Sequence, residues 1–450
     1  MESFEVKVKG RPHMNYYYIV VPLVQIRKLR LKHKKPIKVT ITKNNFSTTF
    51  VTNVNLDIRN GKMKRAKVHI NKYVRKILDI KFMDKVIVKV EKPEFIVYRP
   101  KKIFKNRRID FLAFVPNSIL VTKNNCNLVL WRRPRARSVE IQRFLDIEIS
   151  ARFFGLLFSE GQKCKNTTGA FVSISNKNIN PHIIVVNFLK DLFGHDKLIQ
   201  AYCSYNPELD NQILENKIRA YEETVGIPIK PIKAGRHGDY CFITNVNSTL
   251  VGEIILSGLN SICDVILSNK IFDGGLKQFI KNFIIEEIFG DGYLNISNSG
   301  VSLKICDDNE KRRKVISDIF NKLGLEVNDD GKLMVCCDVT GVDKRTKLLS
   351  LDILKEKNRN KLIKSFLNLK FFNLQMKRLE TLLKFKEFDN KTVCKIFGWS
   401  PNKATKWLVC MLKRGNIERI RRENKSVFYS IKITNNLKNY LELEEMKNNL

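Results

Sequence analysis

The chain has 450 residues, room for about three domains, and 43% of them are hydrophobic, which excludes wholesale disorder. Lys and Arg number 82 against 45 Asp and Glu, a net charge of +37 that points to a polyanionic partner, nucleic acid first. The ten cysteines show no CxxC and no Cys/His zinc spacing, and Cys336 and Cys337 are adjacent, which fits reduced thiols in a cytoplasm better than a disulfide framework. With charges among the first residues, neither a secretory leader nor a membrane segment is expected.

In chain order, residues 1–92 read as a β-rich domain built twice. A shift of 49 aligns Ile19, Val21, Leu29, Leu31, Ile37, Val39 and Ile41 with Val68, Ile70, Leu78, Ile80, Val86, Val88 and Val90. Each copy predicts an alternating strand, a short basic helix near 24–29 or 73–78, and a second alternating strand. The pattern resembles the small swapped-hairpin barrels of the AbrB type, in which two copies make one barrel. A purely structural barrel and a DNA clamp both remain open.

Residues 93–148 read as a basic connector. Arg107-Arg108 and the run Arg132, Arg133, Pro134, Arg135, Ala136, Arg137 flank a β-like stretch over 111–121. Arginines around a proline suit an extended segment lying on phosphates, and equally suit an exposed linker.

Residues 153–161, Phe-Phe-Gly-Leu-Leu-Phe-Ser-Glu-Gly, are apolar on every side and too short to span a bilayer, so they predict a buried helix. Gly155 costs such a helix about 1 kcal/mol relative to alanine. Gly155 and Ser159 share a face, so close approach of a second helix is the expected reason. Glu160 then falls at the helix C-terminus, where a carboxylate is disfavoured unless a cation sits beside it. Residues 284–292, Ile-Ile-Glu-Glu-Ile-Phe-Gly-Asp-Gly, repeat the pattern. Asp291 lies 131 positions after Glu160, and the same offset pairs Gly169 with Gly300, Val172 with Leu303 and Ile174 with Ile305.

These two stretches resemble the motif of the LAGLIDADG homing endonucleases, over roughly residues 149–368. The resemblance implies a duplicated αββαββα core at 149–370, with repeats 149–245 and 246–370. In that family the motif helices pack at a pseudo-twofold axis and two sheets form a saddle over duplex DNA. It implies Mg2+ held by Glu160 and Asp291, with the carbonyls of Gly161 and Gly292 completing the site, and an assisting basic residue, for which Lys304 is the candidate. Hard oxygen ligands with no His or Cys nearby suit magnesium, and such a metal activates water and neutralises charge on the reacting oxygens. The second motif departs from the pattern: Glu286 and Glu287 stand where the first has Gly155 and Leu156. Two carboxylates in a packed interface need partners or water, so either a looser crossing or an answer from Arg152 is expected.

Residues 371–435 predict helices near 376–385 and 391–397, a turn at Gly398, Ser400 and Pro401 opening a helix that buries Ala404, Trp407, Leu408 and Met411, and two strands at 417–421 and 427–431. The order resembles a winged helix-turn-helix, which places Asn402, Lys403 and Lys406 at base edges and Arg421, Arg422 and Lys425 on phosphates. Residues 436–450 read as a tail.

The sequence therefore predicts an α+β protein: a cytoplasmic, monomeric, metal-dependent double-stranded DNA endonuclease, free-standing and not an intein. The alternatives are a non-cleaving transcriptional regulator on a degenerate core, as in the WhiA family, and an RNA maturase.

Overall fold

The computed structural model describes residues 3–60, 62–132, 138–166, 169–233, 239–296, 301–339, 342–366, 370–423, 426–434, 437–438 and 440–441. The fold is mixed α and β, in two compact units, Met1–Asp291 and Gly292–Leu450. The break falls between the second motif's acid and its glycine.

The N-terminal duplication becomes a pair of ladders. Strand Tyr16–Val21 runs antiparallel to Lys62–His69 with Ile19 opposite Val68, and Pro36–Lys43 runs antiparallel to Lys85–Glu91 with Thr40 opposite Lys89. Both facing pairs are related by the 49-residue shift. Equivalent residues face each other in an antiparallel ladder only on a local twofold axis, so the two copies pair symmetrically. Seven strands make one curled sheet in the order Phe4–Lys7, Lys85–Glu91, Pro36–Lys43, Phe46–Arg59, Lys62–His69, Tyr16–Val21, Lys9–Arg11. The alternation that aligned the copies puts Ile19, Ile37, Val39, Ile41, Val68, Val86, Val88 and Val90 into one core. Helices Leu23–Lys28 and Lys72–Ile77 follow the first strand of each copy, and Asn71 caps the second by accepting from the Val74 N–H.

Residues 93–148 fold instead of merely connecting. Leu120–Asn124, Asn127–Trp131 and Ser138–Gln142 form one antiparallel sheet, and Phe104–Lys105, Arg108–Asp110 and Phe144–Asp146 another. Val51 of the long strand Phe46–Arg59 packs with Val129 and Trp131 of the first. The β-like reading of 111–121 is corrected here. Phe111–Phe114 is a 3-10 turn, capped by Asp110 accepting from the Leu112 N–H, and both phenylalanines are fully buried. Rings three positions apart lie on one side of a three-residue turn but on opposite faces of a strand, so burial of both decides for the turn.

The first core repeat begins with the helix Ile147–Ser159 and builds a five-stranded sheet ordered Gly161–Asn166, Gly169–Asn176, Tyr240–Val246, Ile199–Tyr205, Ile229–Lys233. Helix Ile179–Phe193 ends at Gly194, whose φ of 67° suits glycine. Strands Ile199–Tyr205, Ile229–Lys233 and Tyr240–Val246 fall where the chain reads as further strands, between 199 and 243, but helix Asn211–Val225 goes beyond the predicted elements. That helix buries only Leu214, Tyr221 and Val225, too thin an apolar stripe for periodicity to announce it. Helix Thr249–Ser268 meets the length and composition of a membrane span, contrary to the sequence reading, yet in this fold it is a packed helix whose Gly258 lies against the Phe114 ring. The second motif helix, Gly274–Gly290, closes this unit.

The second unit opens with a four-stranded sheet ordered Gly292–Ile296, Val301–Cys306, Met334–Asp338, Val327–Asp329, backed by helix Glu310–Lys322. Helices Val342–Ser350 and Glu356–Phe366 follow. Then come helices Lys370–Leu383, Asn390–Phe397 and Pro401–Lys413 and the hairpin Ile417–Glu423 with Ser426–Ile431. The third helix buries Ala404, Trp407, Leu408 and Met411, the set its spacing selects. Ser400 holds the N-cap position with Pro401 following, but its side chain accepts no capping bond.

Because Ile19 faces its own equivalent at the centre of the N-terminal core, Ile19→Ala should lose about 2–5 kcal/mol of that domain's stability, read by urea unfolding against wild type.

Candidate active site at the paired helix ends

Asp146 starts the first motif helix by accepting from the Glu148 and Ile149 N–H groups. From there Ile147, Phe153, Phe154, Leu156, Leu157 and Phe158 are all buried, while Arg152, just before the apolar run, is exposed. Phe153 stacks on Phe188, and Phe158 meets Phe283 of the second motif helix edge-on. Gly155 lies where that helix crosses: a Cβ there would overlap the Phe283 carbonyl oxygen and sit 3.0 Å from its Cα. One turn on, a Cβ on Gly290 would lie 2.5 Å from Ser159 Oγ. Ser159 and Gly290 are equivalent under the 131-residue shift, so the helices meet on their local axis, with a small residue at that position in both. Gly290 is a contact glycine that the sequence reading missed. The signal was present in its offset from Ser159.

One residue further, both helices end in an acid. Glu160 and Asp291 are the C-cap residues, their N–H groups donating to Leu156 O at 2.9 Å and Glu287 O at 3.0 Å. The carbonyl ends of two helices and two carboxylates thus share one small region, an arrangement that disfavours negative charge. Burial pushes the Glu160 carboxyl above its ordinary value, the neighbouring Asp291 charge pushes it the same way, and a hydrogen bond from the Asn176 side chain opposes both. A divalent cation would answer both charges at once, and carboxylate oxygens are the donors magnesium takes. Gly161 lies too close to Leu157 to carry a side chain. Its strand pairs Gly161 with Ile174, and the second repeat pairs Gly292 with Ile305, the same register 131 residues on.

Glu286 and Glu287 are both buried in the crossing. Arg152 Nε donates to Glu286 Oε1 at 3.0 Å, so the first helix supplies the cation that the second requires. The crossing is not loosened, as the contact at Gly155 shows.

Each of the remaining candidates belongs to one of the two units. Lys304 lies on the open face of Val301–Cys306, between Tyr293 and Cys336 on the flanking strands, while Val301, Leu303 and Ile305 turn inward. Arg132 is ion-paired with Glu253 and is no free phosphate contact. Arg133, Arg135, Arg137 and Lys425 lie outside the described residues. Asn402, Lys403 and Lys406 are exposed on the first turns of Pro401–Lys413. Lys403 Nζ sits 5.1 Å over the Trp399 ring, and the Arg378 guanidinium lies 4.5 Å from the same ring. Arg421 is held by Glu387 at 2.6 and 3.1 Å and by Glu423, so a phosphate there would have to displace carboxylates, whereas Arg422 is exposed.

No protein-family model and no curated protein matches the chain. Among solved structures it is similar to mesophilic variants of the homing endonuclease I-DmoI (14% identity, 46% of this chain and 95% of that one, TM-score 0.25). It is also similar to an I-DmoI variant in complex with its target DNA in the presence of magnesium (15% identity, 46% and 95%, TM-score 0.24). A third is full-length DUF199/WhiA from Thermatoga maritima (10% identity, 60% and 91%, TM-score 0.24). At these TM-scores the likeness decides nothing about function; the helix pair and its acids carry the reading by themselves.

Gly155→Ala should destabilise the first unit. Alanine favours the helix by about 1 kcal/mol, but overlap with backbone that cannot swing aside costs about 1–3 kcal/mol or more, so overpacking wins; thermal melts compare the two proteins. The folded value of the Glu160 carboxyl is raised, so the folded state binds that proton more tightly than the unfolded one. Stability from this group is therefore present below the ordinary carboxylate range and declines as pH rises through the raised value. Glu160→Gln should remove that decline and be more stable than wild type at neutral pH in EDTA, checked by unfolding across that range.

Proposed function

We propose that this chain is a monomeric, cytoplasmic, site-specific double-stranded DNA endonuclease of the LAGLIDADG kind. The observation that supports it best is the pair of like-charged carboxylates, Glu160 and Asp291, one residue beyond a close helix crossing at equivalent positions of a duplication. Two acids that raise each other's cost of ionisation are a poor way to end two packed helices unless a cation joins them. Glu160 and Asp291 would hold Mg2+, which when bound supplies an activated water and offsets charge on the attacking and leaving oxygens of a phosphodiester. One acid from each repeat serves one DNA strand. The C-terminal helices and hairpin are read as a winged helix-turn-helix that lengthens the recognised site, with Asn402, Lys403, Lys406 and Arg422 toward DNA. The net charge of +37 supports a polyanionic partner throughout.

A second reading has its own observation. Glu286 and Glu287, buried in the helix crossing, depart from the glycine and leucine of the first motif and favour a regulator that binds duplex DNA without cutting it.

Incubation of the protein with fragmented genomic DNA and magnesium, followed by sequencing of new ends, decides between them. Recurrent ends that vanish in Glu160→Gln and in Asp291→Asn are expected. No ends, with duplex binding retained by all three proteins, would sink the endonuclease and leave the regulator; preference for structured RNA would favour a maturase. Duplex affinity should fall with salt by about 0.9 in log–log slope per neutralised phosphate.

A further inference from the structure

We propose that the open face of the N-terminal sheet binds single-stranded DNA by stacking unpaired bases on Tyr16 and Tyr18. Strands Tyr16–Val21 and Lys62–His69 turn Ile19, Val21, Ala66 and Val68 into the core. Alternation puts Tyr16, Tyr18, Lys67 and His69 together on the opposite face. Three rings gather there, Tyr16 lying 5.6 Å from Tyr18 and 5.2 Å from His69 between centroids. Tyr16 is 39% exposed at the outer end of the cluster, and the other two are half-buried.

Cations frame the rings. Lys67 Nζ lies 5.3 Å over Tyr18, and the exposed edge strand sets Arg11 opposite Tyr16 and Lys9 opposite Tyr18. Arg65 extends the row on the next strand, opposite Asp57. Burial, and then the charge of Arg75, hold the His69 pKa below its ordinary value, so at neutral pH it adds an uncharged ring to the surface.

Cross-strand rings stabilise a sheet by themselves, but packing does not ask for an exposed outermost ring ringed by positive charge. A polyanion with accessible π faces uses both features. Duplex DNA keeps its base faces inside its own stack and would engage only the cations, whereas an unpaired strand offers base faces and phosphates together. The single-stranded character follows from the rings; the choice of DNA over RNA rests on the function proposed above.

The test uses the full chain in EDTA at near-physiological salt, with fluorescence anisotropy of a labelled oligothymidylate. Tyr16→Ala, which removes a ring outside the core, and Tyr18→Ala should each weaken binding roughly 5- to 100-fold. The corresponding phenylalanine variants should bind as wild type, and a duplex hairpin should be bound equally by all of these proteins. Binding of oligothymidylate unchanged in the double alanine variant, an equal loss for the duplex, or tighter binding of the oligouridylate than of the DNA strand would overturn the proposal. The measurement needs neither metal nor cleavage. Its failure therefore leaves the endonuclease reading standing, and an absence of cleavage leaves this one standing.

Discussion

The structure of the first unit turns on how close two apolar helices come. Helix Ile147–Ser159 and helix Gly274–Gly290 touch at Gly155 against the Phe283 backbone and at Ser159 against Gly290. Larger residues at these points would hold the helix ends apart. Because contact occurs within the last turns, the next residue of each helix, Glu160 and Asp291, is carried to the same place, and burial plus mutual repulsion then acts on the Glu160 carboxyl. Packing geometry thus creates the electrostatic situation, one that a compact, doubly charged cation taking oxygen donors would relieve.

Charge is otherwise distributed so that several acids are answered by arginines and surface cations remain in excess. Arg152 reaches Glu286, Arg143 clamps Asp110 with two bonds at 2.9 and 2.7 Å, and Arg313 serves Asp329 together with backbone carbonyls. Such pairs prevent the large cost of an uncompensated buried charge more than they add stability. Where an arginine is committed in this way, as Arg132 to Glu253 and Arg421 to Glu387, it no longer contributes freely to the field that attracts a polyanion. The lysines and arginines left over produce the net +37.

Two independent duplications meet their symmetry by different physics. The N-terminal copies pair through backbone hydrogen bonds, Ile19 with Val68 and Thr40 with Lys89, so the ladder itself enforces register. The motif copies pair through side-chain packing of helices, where small residues set the distance, while the strand that follows each acid repeats its register, Gly161 with Ile174 and Gly292 with Ile305. The second arrangement tolerates divergence: Gly155 and Leu156 became Glu286 and Glu287 without opening the crossing, because Arg152 faces one of them.

Much of this was legible in the chain. Alternation and the 49-residue shift placed the N-terminal strands, the apolar run around Gly155 announced a buried helix with a close neighbour, the 131-residue offset named Glu160 and Asp291 as counterparts, and helical spacing picked out Ala404, Trp407, Leu408 and Met411. These are local or periodic signals, set by which residues share a face, and periodicity survives in the sequence. Other features depended on what lay across space. The turn at Phe111–Phe114 follows from two rings buried on one side, helix Asn211–Val225 exposes most of its surface, Arg132 and Arg421 found carboxylates far along the chain, and Gly290 matters only because Ser159 faces it. Sequence by itself determined the strongly periodic elements and named the two acids as counterparts, since hydrophobic period and repeat offset need no partner; tertiary structure alone decided which charges are spent on each other and how closely the motif helices approach, since both are set by distances between residues the chain keeps far apart.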